Sequence, residues 1–353
     1  MSRRAITLAL SSALILVMAL VSAGPAAAAS SKAKEKAERA RVVKYWNPKR
    51  MANATPRDFV KKNGKFVPAK RGGNKPDKGP KNPGGDGGSG DGGTVTGASW
   101  NSQGPALNAT GKVFFTMGGN NYTCSGAAMS DGPRPSYSVV LTAGHCAFDE
   151  TNGRFATNWM FKPAYDSDPS GCSEGCYVAK ALAVHDGYAT SGGFNRAAVE
   201  HDWAFAVVMP YGGNQLDGDG VDEFGIAFTT PLKTDKRYSF GYPAQGKYDG
   251  TDLVYCSGPV IEDGSYDTWG LECDMTPGSS GGPWMIDFAS KSGTLNSVNS
   301  YKYRGGPNKA FMFGPKFGPD TKDTRTAAFD YIDGKGVAQI NAGPARVGVL
   351  VND

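Results

Sequence analysis

The sequence predicts an all-β body preceded by a basic, non-globular leader. Three observations carry that prediction. From about Thr94 onward, short β-type runs alternate with Gly, Pro, Asn and Asp, the texture of a barrel or sandwich rather than of helices. The charge is split. Residues 30–93 hold 17 Lys and Arg against 6 Asp and Glu, and residues 94–353 hold 19 against 27. All six cysteines lie after residue 120, an even number suited to an oxidising compartment.

The N-terminus is read as an export signal over residues 1–29. Arg3 and Arg4 precede an apolar stretch from Ala5 to Ala23, Gly24-Pro25 interrupts it, and Ala26 to Ala29 offers small residues for cleavage after Ala28 or Ala29. The apolar stretch is long enough to span a bilayer, so the reading of a cleaved signal over an anchor rests on the Ala-rich site. Secretion to the extracellular space follows as an expectation.

Residues 30–93 are expected to be a pro-segment removed on maturation, with a retained wall-facing arm as the rival. Ser31 to Arg41 has helical composition, and residues 42–71 are mixed. Residues 72–93 contain no large apolar side chain, so they cannot bury a core and form a linker open to cutting. The basic run lacks aromatic interleaving, which argues against nucleic acid and leaves contact with the cell envelope as its expected use.

Within the body, residues 94–353, strands are predicted at Lys112–Thr116, Ser138–Thr142, Asn158–Phe161, Tyr177–Val184, Trp203–Val208, Tyr238–Tyr242 and Trp284–Phe288. A modest helix is predicted over Thr324–Ile332. Cys172 and Cys176 lie four apart but no second pair or His follows at zinc spacing. The run Asp217-Gly218-Asp219-Gly220-Val221-Asp222 is a weak cation candidate that reads more simply as a solvated turn. No metal or cofactor is expected.

The chemistry is concentrated in three segments. A serine nucleophile needs a base for its proton, a carboxylate to orient that base, and amide donors for the oxyanion. Thr276-Pro277-Gly278-Ser279-Ser280-Gly281-Gly282-Pro283 lets the backbone turn tightly, with the amides of Gly278 and Ser280 converging on one oxygen. The same residues satisfy G-x-S-x-G, but that motif's fold needs its His after the Ser. All three His (145, 185 and 201) precede Ser280. The Asp-His-Ser order also lacks its glycine-flanked motifs here. Val139-Val140-Leu141-Thr142-Ala143-Gly144-His145-Cys146 places His145 at the mouth of a β-run. Asp202 opens the apolar run Trp203–Val208, where a partly buried carboxylate needs a hydrogen bond that a His ring supplies. Asp186 is the rival, but Gly187 after it suggests a surface turn.

TAGHC, DWAF and GSSGGP, in that order, resemble the signature segments of trypsin-like serine proteases of the chymotrypsin fold. The style is closest to bacterial secreted members related to glutamyl endopeptidases, and Phe240-Gly241-Tyr242-Pro243 shares that look. The resemblance implies two six-stranded antiparallel β-barrels with the site in the cleft between them. It also implies His145 as general base, Asp202 as its orienter, Ser280 as nucleophile, and Gly278 and Ser280 as oxyanion donors. A polypeptide substrate, an acyl-enzyme intermediate and a monomer are the matching expectations; a silent binding homologue and an esterase are the alternatives. Cys124–Cys146, Cys172–Cys176 and Cys256–Cys273 are the implied disulfides.

The chain also departs from the pattern. Ser279 stands where animal-type members carry the Asp that pairs with a freed N-terminus, so any latency must come from residues 30–93 by occlusion or through folding. Asp274 occupies the place of the basic-specificity Asp. The pocket wall by spacing is Asn299-Ser300-Tyr301-Lys302, with Asn299 in place of the glutamyl-specific His and Lys302 where a small Gly keeps the pocket open.

Overall fold

The computed structural model describes residues 25–69, 93–134, 136–166, 172, 175–216, 218, 220–335 and 345–349. Most of the export signal, the linker from 70 to 92, and Asp217 and Asp219 of the cation candidate lie outside the described residues.

The leader folds onto the body. Helix α1 (Pro25–Tyr45) is followed by α2 (Pro48–Asn53), which Asn47 caps by accepting from the Arg50 amide at 2.9 Å, with Pro48 in the first turn. Strand β1 (Thr55–Pro56) then leads to a hairpin of β2 (Phe59–Lys62) and β3 (Lys65–Pro68). Its turn is Asn63-Gly64, both at positive φ (51° and 77°), the geometry that matches strand twist and favours this pair. Val42, Trp46 and Met51 are buried in the same hydrophobic core as the body, and Trp46 Nε1 donates to the Asn158 carbonyl at 2.6 Å.

β4 (Val95–Ser99) and the short α3 (Pro105–Ala109) open the body. Then come β5 (Thr110–Met117), β6 (Asn120–Met129), β7 (Ser138–Thr142) and the small pair β8 (Phe148–Asp149) and β9 (Arg154–Phe155). β10 (Thr157–Pro163), β11 (Tyr177–His185), the short helices α4 (Asp186–Ala189) and α5 (Arg196–Glu200), and β12 (Ala204–Val208) follow. Strands pair antiparallel in the order β6-β5-β10-β11-β12-β7, and β7 returns to β6, which closes a six-stranded barrel. β7 and β12 are buried at every position. One face fills the barrel and the other is covered, which is why they read as apolar runs rather than as alternation.

β13 (Arg237–Gly241), β14 (Val254–Gly258), β15 (Val260–Glu262), β16 (Thr268–Glu272), β17 (Pro283–Ala289), β18 (Ser292–Val298), β19 (Tyr301–Tyr303) and β20 (Phe311–Pro315) make the second barrel. Its sheets run β18-β17-β13-β14-β4 and β15-β16-β20-β19, and the leader hairpin extends the latter by pairing β2 parallel to β19. The Cys256–Cys273 disulfide and the Ser297 hydroxyl on the Pro315 carbonyl (2.7 Å) tie the sheets together. Helix α6 (Pro319–Ile332) begins five residues before the predicted Thr324, because Pro319 and Asp320 both suit a first turn. It packs on the first barrel, where Trp203 Nε1 donates to Thr324 Oγ1 at 3.0 Å. β21 (Ala345–Val349) pairs with β11.

The two-barrel architecture with a short C-terminal helix is thus the one the sequence predicts. All three implied disulfides form, with Cα–Cα separations of 6.2, 5.3 and 5.5 Å. Among the described residues, no helix is long and apolar enough to cross a membrane.

Candidate active site

The pairing of β7 with β12 sets Thr142 opposite Ala204. His145, three residues beyond Thr142, and Asp202, two before Ala204, therefore leave the first barrel at the same end. Both are fully buried. The Asp202 carboxylate receives the His145 amide on Oδ1 (2.9 Å) and faces His145 Nδ1 with Oδ2 (2.8 Å). Because a carboxylate only accepts, Nδ1 carries the proton and Nε2 keeps its lone pair. The Ser300 hydroxyl donates to the same Oδ2. A Cβ on Gly144 would crowd this pair, lying 3.1 Å from Asp202 Oδ1 and 3.0 Å from the Tyr188 ring.

Ser280 comes from the loop between β16 and β17 of the second barrel. Gly278 has φ +109°, and Gly281 has φ +79°. A Cβ on Gly281 would lie 2.2 Å from Thr142 Oγ1 and 2.5 Å from the Ser125 carbonyl, so the nucleophile loop touches the first barrel through bare backbone. The Ser125 amide donates to the Ser280 carbonyl at 2.7 Å, and the Ser125 hydroxyl to the Gly278 carbonyl at 2.9 Å. Ser279, at the place of the animal-type Asp, donates its hydroxyl to the Thr276 carbonyl at 3.0 Å.

The cleft is occupied by the leader. Ser280 Oγ donates to Asp58 Oδ1 at 2.6 Å, and the Gly278 amide donates to Asp58 Oδ2 at 2.9 Å. His145 Nε2 is buried and has no hydrogen-bond partner among the described residues. Burial pushes the Asp58 carboxyl above its usual range, against the pull of the Ser280 hydroxyl and of His145. On one side of Asp58, Arg57 pairs with the buried Glu150 at 2.8 Å and donates to the His145 carbonyl. On the other, the Phe59 ring stacks on Phe194 at 3.9 Å and meets His145 edge-on at 5.7 Å.

The expected pocket wall has other duties. Asn299 is fully buried: its Oδ1 receives the Ser239 hydroxyl and Trp284 Nε1 (both 2.7 Å), and its Nδ2 donates to the Phe240 and Ser279 carbonyls (both 3.0 Å). Tyr301 is buried too, its hydroxyl bonded to Thr268 and Asp263. The polar atoms of both are bonded within the second barrel, as buried polar groups require, and the Tyr301 ring meets Phe66 of the leader hairpin edge-on at 5.1 Å. Ser300 serves Asp202 instead. Lys302 pairs with Val60 of β2 and donates to the Cys273 carbonyl; burial drives its ammonium down to about 8. Asp274 is half-exposed and held by Lys247 (2.7 Å) and the Tyr248 hydroxyl.

Sequence reasoning missed Arg57, Asp58 and Phe59 as site residues. One signal was present: Asn63-Gly64 between Phe59-Val60-Lys61-Lys62 and Lys65-Phe66-Val67, a hairpin pattern inside the leader.

Two antiparallel barrels with a catalytic-type cleft between them define the chymotrypsin-like class of serine protease fold. Among solved structures, the protease Anisep from Arthrobacter nicotinovorans is 38% identical, with a TM-score of 0.56 over 66% of this chain and 99% of that one. The thermostable serine protease AL20 from an extremophilic microorganism is 35% identical, with a TM-score of 0.55 over 64% of this chain and 99% of that one. No family model and no curated protein matches the chain. On the strength of these relatives, the chain belongs to the trypsin-like serine proteases and is a hydrolase of that class.

Proposed function

We propose that the chain is a secreted endopeptidase that cleaves polypeptides through a Ser-His-Asp triad and an acyl-enzyme. In this reading, residues 1–29 direct export, residues 30–93 are a pro-segment, and residues 94–353 are the enzyme, acting as a monomer. Three disulfides accord with an oxidising destination.

His145 Nε2 takes the Ser280 proton as Oγ attacks the scissile carbonyl, and the carbonyl oxygen gains negative charge facing the Gly278 and Ser280 amides. Asp202 holds the imidazole in the Nδ1–H form and stabilises the imidazolium. The proton then passes from His145 to the leaving amine, which departs and leaves an ester on Ser280. Water activated by His145 hydrolyses that ester. The observation that carries this reading is the buried Asp202–His145 pair, with Nδ1 facing the carboxylate, beside a serine whose loop directs the Gly278 amide at a carboxyl oxygen.

A fluorophosphonate probe tests it. After the leader is digested away, the wild-type chain is expected to take the label on Ser280 and Ser280→Ala to take none. An unlabelled wild type under those conditions overturns the reading. Digestion of a peptide library by the same preparation then reads endopeptidase activity against simple ester hydrolysis.

A further inference from the structure

The leader does more than cover the cleft. It places a carboxylate, and no peptide bond, against the nucleophile. Asp58 spans Ser280 Oγ and the Gly278 amide with its two oxygens (2.6 and 2.9 Å), so it sits where the oxyanion of a bound substrate belongs. A carboxyl group offers Ser280 no useful electrophile, since resonance deactivates its carbon and its leaving group would have to be hydroxide or oxide. The same contact draws the serine hydroxyl away from its base: Ser280 donates to Asp58 while His145 Nε2 stands without a partner among the described residues. Both requirements for attack, a deprotonating base on the hydroxyl and a vacant oxyanion site, are thereby removed by one side chain.

The segment around Asp58 is built to hold it there. Upstream, β1 runs parallel to Tyr122–Thr123 of β6, and Arg57 is pinned to Glu150, itself bonded by the Tyr188 hydroxyl at 2.9 Å. Downstream, β2 adds to β19 with Phe59 opposite Tyr301 and Tyr303 opposite Lys61. Phe66 packs edge-on against Phe194 and Tyr301, with ring centroids 5.3 and 5.1 Å apart. The Asn63-Gly64 turn makes this hairpin a unit that forms locally. A residue clamped on both sides loses little further entropy on binding, which is how a single carboxylate becomes an effective plug.

We propose that residues 55–68 are a built-in inhibitor of this enzyme, and that the Asp58 carboxylate keeps the precursor latent by filling the oxyanion site and claiming the Ser280 hydroxyl. The proposal rests on the triad assignment above. It accounts for latency without an Asp at position 279: here the carboxyl that contacts the nucleophile loop comes from the leader.

The test uses the intact chain from residue 30 onward, with Asp58→Ala and Asp58→Asn. Each is followed by fluorophosphonate labelling and hydrolysis of a mixed peptide library, before and after limited digestion of the leader. The intact wild type should label at least 100-fold more slowly than its digested form. Asp58→Ala should raise labelling of the intact chain 10-fold or more, with Asp58→Asn, which keeps the shape but turns one of the two acceptors into a donor, between the two. In trans, a synthetic 55–68 peptide should inhibit the digested enzyme, and its Asp58→Asn form should do so at least 10-fold more weakly. That arm does not depend on the variants folding. Equal labelling of intact and digested wild type overturns the proposal. So does an unchanged rate in both Asp58 variants, or equal inhibition by the two peptides, while the digested enzyme labels normally. If no digested form labels, it is the triad assignment that fails.

Discussion

The hydroxyl of Ser300 donates to Asp202 Oδ2, the oxygen that also faces His145 Nδ1 at 2.8 Å. A group carried by the second barrel thus helps fix the orienting carboxylate of the first. Removing it should act on the base rather than on substrate binding. In Ser300→Ala, kcat is expected to fall about 10-fold, the worth of one hydrogen bond to a charged group, with KM within a factor of about two. Without that donor, more charge remains on Oδ2 and the imidazolium is held more tightly. The base limb of the kcat/KM profile should therefore move to higher pH. A lost kcat with an unmoved limb would leave Ser300 a packing residue only. Asp202→Asn should cost far more, on the order of 10⁴ in kcat, because it favours the wrong imidazole tautomer.

Asn299 predicts a stability effect. Its amide makes all four of the hydrogen bonds it can make, joining Ser239, Trp284, Phe240 and Ser279. Asn299→Leu is similar in size, leaves the Ser239 hydroxyl and Trp284 Nε1 without their acceptor, and takes a donor from the Phe240 and Ser279 carbonyls, the latter still held by the Gly282 amide. The expected loss is about 3–5 kcal/mol, a breakage of a buried network. Urea unfolding of the pair Ser280→Ala and Ser280→Ala/Asn299→Leu measures it without self-digestion. A loss under about 1 kcal/mol would mean that Ser279 and its neighbours find other partners.

The contrast between Ser280 and Asn299 shows where the sequence was readable. Three short segments brought His145, Asp202 and Ser280 together because each lies at a strand end or a tight turn, and turn chemistry is local. The strands were legible for the same reason: apolar β-runs bounded by Gly and Pro. The partners of Asn299 were not legible, because spacing along the chain fixes the wall's position but not which groups its side chains bond. Asp58 could not be found at all. Its significance depends on a hairpin adding to β19, some 240 residues away, and on a carboxylate meeting a site built by another part of the chain. Only the Asn63-Gly64 turn pointed that way.

Asp274 makes a prediction about specificity. Its carboxylate is bound by Lys247 at 2.7 Å and by the Tyr248 hydroxyl, and it lies half-exposed. A charge already neutralised in this way gives little attraction to a basic substrate side chain. Asp274→Asn should leave the cleavage pattern of a peptide library unchanged and alter overall rates by no more than about 3-fold, in keeping with the small worth of an exposed ion pair. Loss of a preference for Lys or Arg in this variant would instead make Asp274 the recognising group.

The Cys124–Cys146 bridge joins β6 to the turn that carries His145, across a sequence separation of 22. Chain entropy assigns such a loop about 3 kcal/mol. Replacing both cysteines by Ser, again in Ser280→Ala, should lower the unfolding free energy by roughly that amount. In the active, leader-digested chain the same change should slow fluorophosphonate labelling, since the base turn loses its tether. Full retention of both properties would show that the β6–β7 pairing alone holds His145.

The leader's grip should depend on pH, and its sign follows from Asp58. Docked, the carboxyl is pushed up by burial; undocked, it is exposed and returns to about 3.9. Between those values the docked state binds more protons than the undocked one, so acid favours docking. The contribution is fully present below the undocked value and is lost as pH rises through the docked one. The groups facing it are His145, which favours its charged form, and Asp202, which disfavours it. Arg57 is neutralised by Glu150. The measurement is the labelling rate of the intact chain divided by that of the digested chain, at each pH from about 4.5 to 8. Taking the ratio divides out the pH effects on reactivity that both forms share. The ratio should climb with pH in the wild type, and its slope should flatten in Asp58→Ala. A ratio that falls with pH would mean that Asp58 docks as an anion throughout, held by the Gly278 amide and the Ser280 hydroxyl rather than by its proton.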